Sequence, residues 1–161
     1  MNKIQNIINK KNKSKIVSLT AYSKNIAKIL DNYVDIILVG DSMANVLYGH
    51  KNTHKIDLKN IIQHTLSVKM GIKKSLLVVD LPKGTYRNEK SAEKNAKYLI
   101  KKTKCDAIKL ESNKNNYEII KFLTKKKIPV MGHIGYTPQF KKKFKIEGLS
   151  KKETRKLLKE A

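Results

Sequence analysis

Four short apolar segments of this sequence end in, or carry, residues that could bind a metal ion and an oxygen-rich ligand. The residues concerned are Asp41, Ser42, Asp80, Lys109, Glu111 and His133. Carboxylate oxygens suit Mg²⁺, which takes one or two direct carboxylates together with waters and substrate oxygens. Three carboxylates on successive segments therefore predict a magnesium site.

The third of these segments carries two charged residues at positions that are two apart. If the segment is a strand, Lys109 and Glu111 point to one face, and Ile108 and Leu110 point to the other. A lysine and a glutamate turned into a protein interior are costly unless they pair or serve a site.

Each of these residues also has a purely structural interpretation. Asp41 could cap a helix or form an Asx turn, and Asp80 could begin a turn. Lys109 and Glu111 could form a buried structural ion pair, and His133 could be a satisfied core histidine. Because the same class of residue recurs at four strand ends, a common site is the favoured interpretation. The other histidines, His50, His54 and His64, are interpreted as structural or surface residues.

The elements that must position these residues alternate between strands and helices. The predicted strands are 16–20, 35–40, 75–80, 107–111 and 129–133, and the predicted helices are 21–30, 60–70, 90–102, 117–123 and 149–160. Strands that are apolar throughout and alternate with helices specify a parallel α/β sheet covered on both faces.

The type of parallel sheet follows from the turn after the first strand. That turn, Ala21-Tyr22-Ser23, lacks the glycine-rich pattern of nucleotide-binding folds, which favours a (β/α)₈ TIM-barrel type. A complete barrel needs about 250 residues, so we expect a barrel truncated after about five strands. The predicted division is a lysine-rich lead-in helix over 1–14 and a partial barrel domain over 15–161.

The composition is strongly basic, with 36 lysines and arginines against 13 acidic residues in 161 residues. Only Arg87 and Arg155 are arginines, and the lysines are spread along the chain, so a solvated lysine coat is favoured over a specific nucleic-acid surface. A non-catalytic basic α/β module that binds nucleic acid is the alternative function.

The single cysteine, Cys105, excludes an intramolecular disulfide and fits a reducing compartment. With no apolar run of about 18 residues and no signal peptide, we expect a cytoplasmic protein without a membrane partner.

Four motifs follow one another in order across about residues 15–150. They are Val39-Gly40-Asp41-Ser42 with Gly49-His50, Leu77-Val78-Val79-Asp80-Leu81-Pro82 with Tyr86, Ile108-Lys109-Leu110-Glu111, and Gly132-His133-Ile134-Gly135-Tyr136-Thr137-Pro138-Gln139. In order and spacing they resemble the N-terminal part of the ketopantoate hydroxymethyltransferase family. A magnesium-dependent barrel lyase of the phosphoenolpyruvate mutase type shares the chemistry, but the last motif favours the first family.

The resemblance implies a reaction and a role for each site residue. The family transfers a hydroxymethyl group from 5,10-methylenetetrahydrofolate to 3-methyl-2-oxobutanoate, giving 2-dehydropantoate (ketopantoate), the first step of pantothenate biosynthesis. Asp41 and Asp80 would bind Mg²⁺ directly, and Glu111 would complete the site through water. Ser42 would hold the substrate carboxylate, and Lys109 and His133 would hydrogen-bond the substrate's oxygens.

The resemblance also implies features beyond these residues. The family is usually a homodecamer, so a homo-oligomer is expected. Its general-base glutamate is expected beyond Ala161, so we predict little or no turnover by this chain alone. Four positions depart from the family pattern near the site mouth, namely Ser23, Lys51, Lys83 and Tyr136.

Overall fold

A five-stranded parallel sheet forms the centre of the molecule, which is a computed structural model describing residues 2–112, 116–141 and 145–161. Its strands are β1 (Ser18–Thr20), β2 (Ile36–Val39), β3 (Leu76–Asp80), β4 (Ala107–Glu111) and β5 (Val130–His133). They lie side by side in chain order, and every neighbouring pair is parallel. The predicted parallel α/β sheet is therefore confirmed.

Seven helices accompany the sheet in the described ranges. They are α1 (Lys3–Asn9), α2 (Lys24–Leu30), α3 (Met43–Val46), α4 (Leu58–Lys69), α5 (Glu89–Thr103), α6 (Tyr117–Lys125) and α7 (Lys151–Glu160), with a 3₁₀ turn over Thr53–Lys55. The predicted cap of α7 is present, since the Ser150 hydroxyl accepts from the Glu153 N–H and the Glu153 carboxylate accepts from the Ser150 N–H. Among the helices described, none is long and apolar enough to cross a membrane.

The two faces of the sheet bury different side chains because residues alternate along each strand. One face packs Ile37, Leu77 and Ile108 under the helices, and all three are fully buried. The opposite face carries an apolar layer of Ile36, Leu76, Val78 and Ala107, against which Ile4 and Ile7 of α1 pack. Further toward the carboxyl ends of the strands this second face becomes polar, and the predicted site residues lie there.

The turn before β3 is held by one buried carboxylate. Asp31 accepts the backbone N–H groups of Lys73, Lys74 and Ser75 at 2.8–3.1 Å. Burial alone would raise the pKa of Asp31, but these N–H groups outweigh it and hold the pKa below its ordinary value. The carboxylate thus fixes the point at which the central strand enters the sheet.

We expect Asp31→Asn to lower the free energy of unfolding by about 1.5–3 kcal/mol at pH 7, because the amide leaves buried N–H groups without a charged acceptor. Urea unfolding measures this, with exposed Glu118→Gln as the control that stays within about 0.5 kcal/mol. The Asp31 contribution is present above its unfolded-state pKa and is lost as the pH falls through the lower folded-state pKa. An equal difference at pH 7 and in strong acid would contradict this account.

Candidate active site

The structure brings most of the predicted site residues together at the carboxyl ends of β2 to β5. Asp80 and Lys109 are in register on neighbouring strands, as are Glu111 and His133. The Lys109 ammonium lies 2.6 Å from Asp80 Oδ1, with both side chains largely buried. The ion-pair partner of Lys109 is therefore Asp80, and the structural Lys109–Glu111 pair considered from the sequence is wrong.

Asp80 also fixes the loop that follows β2. Its Oδ2 accepts the backbone N–H of Asp41 at 3.1 Å, so Asp80 links two strands and is not a simple turn residue. Gly40 makes this approach possible: a Cβ atom there would lie 3.2 Å from Asp80 Oδ2 and 3.0 Å from Ser42 Oγ. Both contacts are tighter than most side chains tolerate, so a larger residue would push the loop away from the carboxylate.

Gln139, in the loop after β5, contacts two of the three carboxylates. Its backbone N–H donates to Glu111 at 3.0 and 3.2 Å from the two carboxylate oxygens. Its side-chain Nε2 donates to Asp41 Oδ2 at 2.8 Å and to the Leu81 carbonyl at 3.1 Å. Its Oε1 accepts the Tyr86 hydroxyl at 2.5 Å. In the sequence, Gln139 and Tyr86 stand only as motif positions, and their residue types alone predict no role for them.

Burial and mutual repulsion shift the carboxylates of the site. Burial, followed by the charge of Asp80, raises the pKa of Asp41 to about 6, although the Gln139 hydrogen bond opposes the rise. Burial, followed by the charge of Asp41, raises the pKa of Glu111 to about 8, against the opposing Gln139 N–H. The metal-free site thus holds more negative charge than Lys109 alone balances, and Glu111 takes up a proton near neutral pH.

His133 has a ring nitrogen that no described residue satisfies. Its Nδ1 is buried without a hydrogen-bond partner in the described part of the chain and lies 3.9 Å from Glu111 Oε1. Burial and the Lys109 charge lower the pKa of His133, so the ring is neutral at pH 7 and forms no ion pair with Glu111. Within the described residues, His133 therefore lacks the partners of a satisfied core histidine.

Ser42 lies beside Asp41 at the wall of a cavity of about 360 Å³. The Ser42 hydroxyl and the Tyr22 hydroxyl are 2.7 Å apart. Thr53 and His54 line the same cavity, and the Thr53 hydroxyl lies beside the Asp41 carboxyl, where it helps to oppose the rise in the pKa of Asp41. His54, interpreted from the sequence as structural or surface, lies at the cavity wall.

The donor set fits a hard divalent cation through two of its carboxylates. Across residues 2–112, 116–141 and 145–161, no three Asp, Glu, His or Cys side chains are grouped closely enough to hold a metal ion. Asp80 Oδ2 nevertheless accepts the Asp41 N–H at 3.1 Å, so the two carboxylates lie at neighbouring strand ends, and two carboxylates with waters are what Mg²⁺ takes. Both carboxylate oxygens of Glu111 lie within hydrogen-bond distance of the Gln139 N–H.

The raised pKa of Glu111 predicts how stability depends on pH without metal. Above pH 6.5 a histidine is mostly neutral in the unfolded chain as well as in the folded one, so His133 contributes little to the pH dependence there. Glu111 has a pKa of about 8 in the folded state, so in this pH range it binds a proton when the chain is folded and loses it when the chain unfolds. Stability is therefore expected to fall by about 1–2 kcal/mol as the pH rises from 6.5 to 8. Urea unfolding in a chelator measures this. Glu111→Gln should flatten the slope, and an unchanged slope in that variant would contradict the assignment.

Three comparisons place this chain among known proteins. Residues 1–161 match the sequence profile described as ketopantoate hydroxymethyltransferase. The 3-methyl-2-oxobutanoate hydroxymethyltransferase of Pelagibacter ubique is 60% identical over 146 residues, covering 91% of this chain and 57% of the relative. That of Campylobacter concisus is 43% identical over 161 residues, covering 98% of this chain and 59% of the relative. The chain thus spans less than two thirds of the length of these relatives.

Solved structures share the fold at low sequence identity. A crystal structure of 2,3-dimethylmalate lyase, a member of the PEP mutase/isocitrate lyase superfamily, superposes with a TM-score of 0.58 at 10% identity over 82% of this chain and 52% of that chain. A crystal structure of oxaloacetate acetylhydrolase superposes with a TM-score of 0.59 at 9% identity, covering 81% of this chain and 50% of that chain. At such identity the likeness shows the fold alone, and it confirms the predicted TIM-barrel type in a partial chain.

Proposed function

The chain belongs to the ketopantoate hydroxymethyltransferase family, and from this membership we propose that its strand-end site binds 3-methyl-2-oxobutanoate with Mg²⁺ for hydroxymethyl transfer. The observation that carries the proposal is the position of Asp80, which is held between the Lys109 ammonium and the Asp41 N–H. A carboxylate fixed in this way is oriented before any ligand arrives.

Asp41 and Asp80 are proposed as the direct Mg²⁺ ligands, with Glu111 acting through water. When bound, the cation would draw electron density from the keto and carboxylate oxygens of the substrate and so acidify its C3 proton. The excess negative charge of the metal-free site supports this, because a cation would neutralise charge that now raises the pKa of Asp41 and Glu111.

Three further residues are proposed to hold the substrate. Lys109 keeps its ammonium beside Asp80 and provides positive charge where the substrate's keto oxygen becomes negative. His133 is neutral, and its Nδ1 has no hydrogen-bond partner among the described residues, so this side chain is proposed to hydrogen-bond a substrate oxygen. Ser42, paired with the Tyr22 hydroxyl, binds the substrate carboxylate at the cavity wall.

None of the three carboxylates is proposed as the base that removes the C3 proton. Asp80 faces Lys109, and Asp41 and Glu111 both face Gln139. We assign this step to a glutamate that the 161 residues do not supply, so the chain alone is expected to bind the keto acid and turn it over little. Near-normal activity of the pure chain would contradict this assignment.

The remaining features implied by the family are part of the same proposal. The co-substrate is 5,10-methylenetetrahydrofolate, approaching over the cavity mouth, where Lys51 and Tyr136 contribute to the lining. Lys83, 3.1 Å from His54 Nε2, adds positive charge to that mouth. The protein is proposed to act as a cytoplasmic homo-oligomer, and the exposed apolar residues Ile26 and Ile29 on α2 are consistent with a covered surface.

Isothermal titration of the purified chain with 3-methyl-2-oxobutanoate, with and without Mg²⁺, tests the proposal. We expect binding that requires the metal. The control ligand is 3-methylbutanoate, which keeps the carboxylate but lacks the keto oxygen and should show no Mg²⁺ dependence. No binding by a chain that circular dichroism shows to be folded would overturn the proposed function.

A further inference from the structure

We infer that Gln139 and Tyr86 are a positioning pair that orients the Asp41 carboxylate for the divalent cation, with Tyr86 acting through Gln139. The inference rests on the proposed function, since it concerns the same site. It adds two residues that the family resemblance left without a role. Both are deeply buried, with Gln139 2% and Tyr86 4% exposed.

The orientation of the Gln139 amide follows from its partners. The Leu81 backbone carbonyl can only accept a hydrogen bond, so the group 3.1 Å from it is the amide nitrogen. That nitrogen has a second hydrogen, which points to Asp41 Oδ2 at 2.8 Å. Asp41 Oδ2 is therefore the acceptor of the Gln139 amide, which fixes the orientation of the carboxylate.

Tyr86 fixes the same orientation from the other side. Its hydroxyl donates to Gln139 Oε1 at 2.5 Å, which requires the amide oxygen to face Tyr86 and the nitrogen to face Asp41. The Tyr86 ring packs edge-on against Phe140, the next residue after Gln139, with centroids 6.3 Å apart. Hydrogen bonds in such a chain strengthen one another, so Tyr86 affects Asp41 without contacting it.

Gln139 contacts the Glu111 and Asp41 carboxylates through different groups. Glu111 is held by the backbone N–H of Gln139, whereas Asp41 is held by the side chain. Gln139→Met therefore keeps the backbone contact to Glu111 and removes the side-chain hydrogen bonds to Asp41, the Leu81 carbonyl and the Tyr86 hydroxyl. Tyr86→Phe keeps the Gln139 amide and removes the hydroxyl that orients it, so the two variants together test whether Asp41 needs to be oriented.

The experiment measures Mn²⁺ affinity of the 161-residue chain by electron paramagnetic resonance at constant pH. The variants are Gln139→Met, Tyr86→Phe and the double variant, and the matched control is Gln63→Met on the exposed face of α4. Circular dichroism gives the folded fraction of each. We expect Gln139→Met to weaken Mn²⁺ binding about 10-fold, within the range seen for groups that orient metal ligands, and Tyr86→Phe to weaken it about 3-fold.

The double variant distinguishes positioning from a general loss of packing. If Tyr86 acts through Gln139, Tyr86→Phe causes no further loss once residue 139 is Met, so the two effects are not additive. Additive losses, or affinities within 2-fold of wild type in both single variants, would overturn the inference. Tyr86→Phe removes one oxygen atom and keeps the test valid if Gln139→Met fails to fold. Failure of the wild-type chain itself to bind Mn²⁺ would overturn the proposed function, and the inference with it.

Discussion

Replacing Asp80 with alanine is expected to abolish Mg²⁺-dependent binding of 3-methyl-2-oxobutanoate, weakening it by at least about 100-fold. Two effects combine in this variant. The site loses an oxygen donor at the position proposed for the cation, and the Asp41 N–H and the Lys109 ammonium both lose their acceptor. The buried ammonium then repels the cation from the site it previously helped to organise.

Calorimetric titration of the keto acid into Asp80→Ala and wild-type chains with saturating Mg²⁺ measures this loss. Glu118→Ala, at an exposed position on α6, is the matched control and should bind as the wild type does. Asp80→Asn keeps the shape of the side chain and removes its charge, so it should lose Mg²⁺-dependent binding of the keto acid nearly as completely as Asp80→Ala does. Metal-dependent binding that survives in both Asp80 variants would show that the cation is held elsewhere.

Replacing Lys109 with methionine is the second change with a large expected effect. Lys109 lowers the pKa of both Asp41 and Glu111, so its removal raises both further and favours protonated carboxyls that bind Mg²⁺ poorly. Asp80 is left as a buried charge without a partner, which is expected to lower the free energy of unfolding by about 3 kcal/mol at pH 8. The loss should shrink at pH 5, where protonation of Asp41 and Glu111 removes negative charge that Lys109 otherwise balances.

Urea unfolding of Lys109→Met at pH 8 and pH 5 measures both values. Lys121→Met, at an exposed position on α6, is the control and should change the stability by no more than about 0.5 kcal/mol at either pH. The same loss at both pH values would mean that packing of the lysine stem, rather than its charge, stabilises the fold. A decrease in the free energy of unfolding of less than about 1 kcal/mol at pH 8 would mean that another group balances the charge of Asp80.

The three central strands, β2 to β4, were predictable because they are buried on both faces. All five residues of β3, Leu76–Asp80, are buried, and a strand of this kind is visible in the sequence as a nearly continuous run of apolar residues. The period of two also placed Lys109 and Glu111 on one face, as observed. The helix predicted over 21–30 begins only at Lys24, because Ala21-Tyr22-Ser23 form the connection from β1 that brings the Tyr22 hydroxyl to Ser42.

The partner of Lys109 could not be read from the sequence, for a geometric reason. Residues two apart on a strand are separated by about 6.6 Å along the chain, whereas a residue in register on the next strand is about 4.8 Å away. Asp80 is in register with Lys109, so it lies closer than Glu111 does. That register becomes known only when the strands are paired.

The role of Gln139 could not be predicted from the sequence, for a related reason. Its acceptor Asp41 lies 98 residues earlier in the chain, and an amide has no local pattern that identifies its partner. The short helix α3 was also missed, because four residues in the loop after β2 are too few to show a helical period. The sequence thus predicted the chemical groups of the site, while the contacts that orient them depend on the tertiary fold.

The most direct test of the central claim is a crystal structure of the chain grown with Mn²⁺ and 3-methyl-2-oxobutanoate, using the anomalous signal of manganese to locate the ion. We predict one ion bound to the carboxylates of Asp41 and Asp80, with the keto acid's oxygens on the ion and its carboxylate at Ser42. An ion bound away from both aspartates, or a keto acid bound at another surface, would contradict the account.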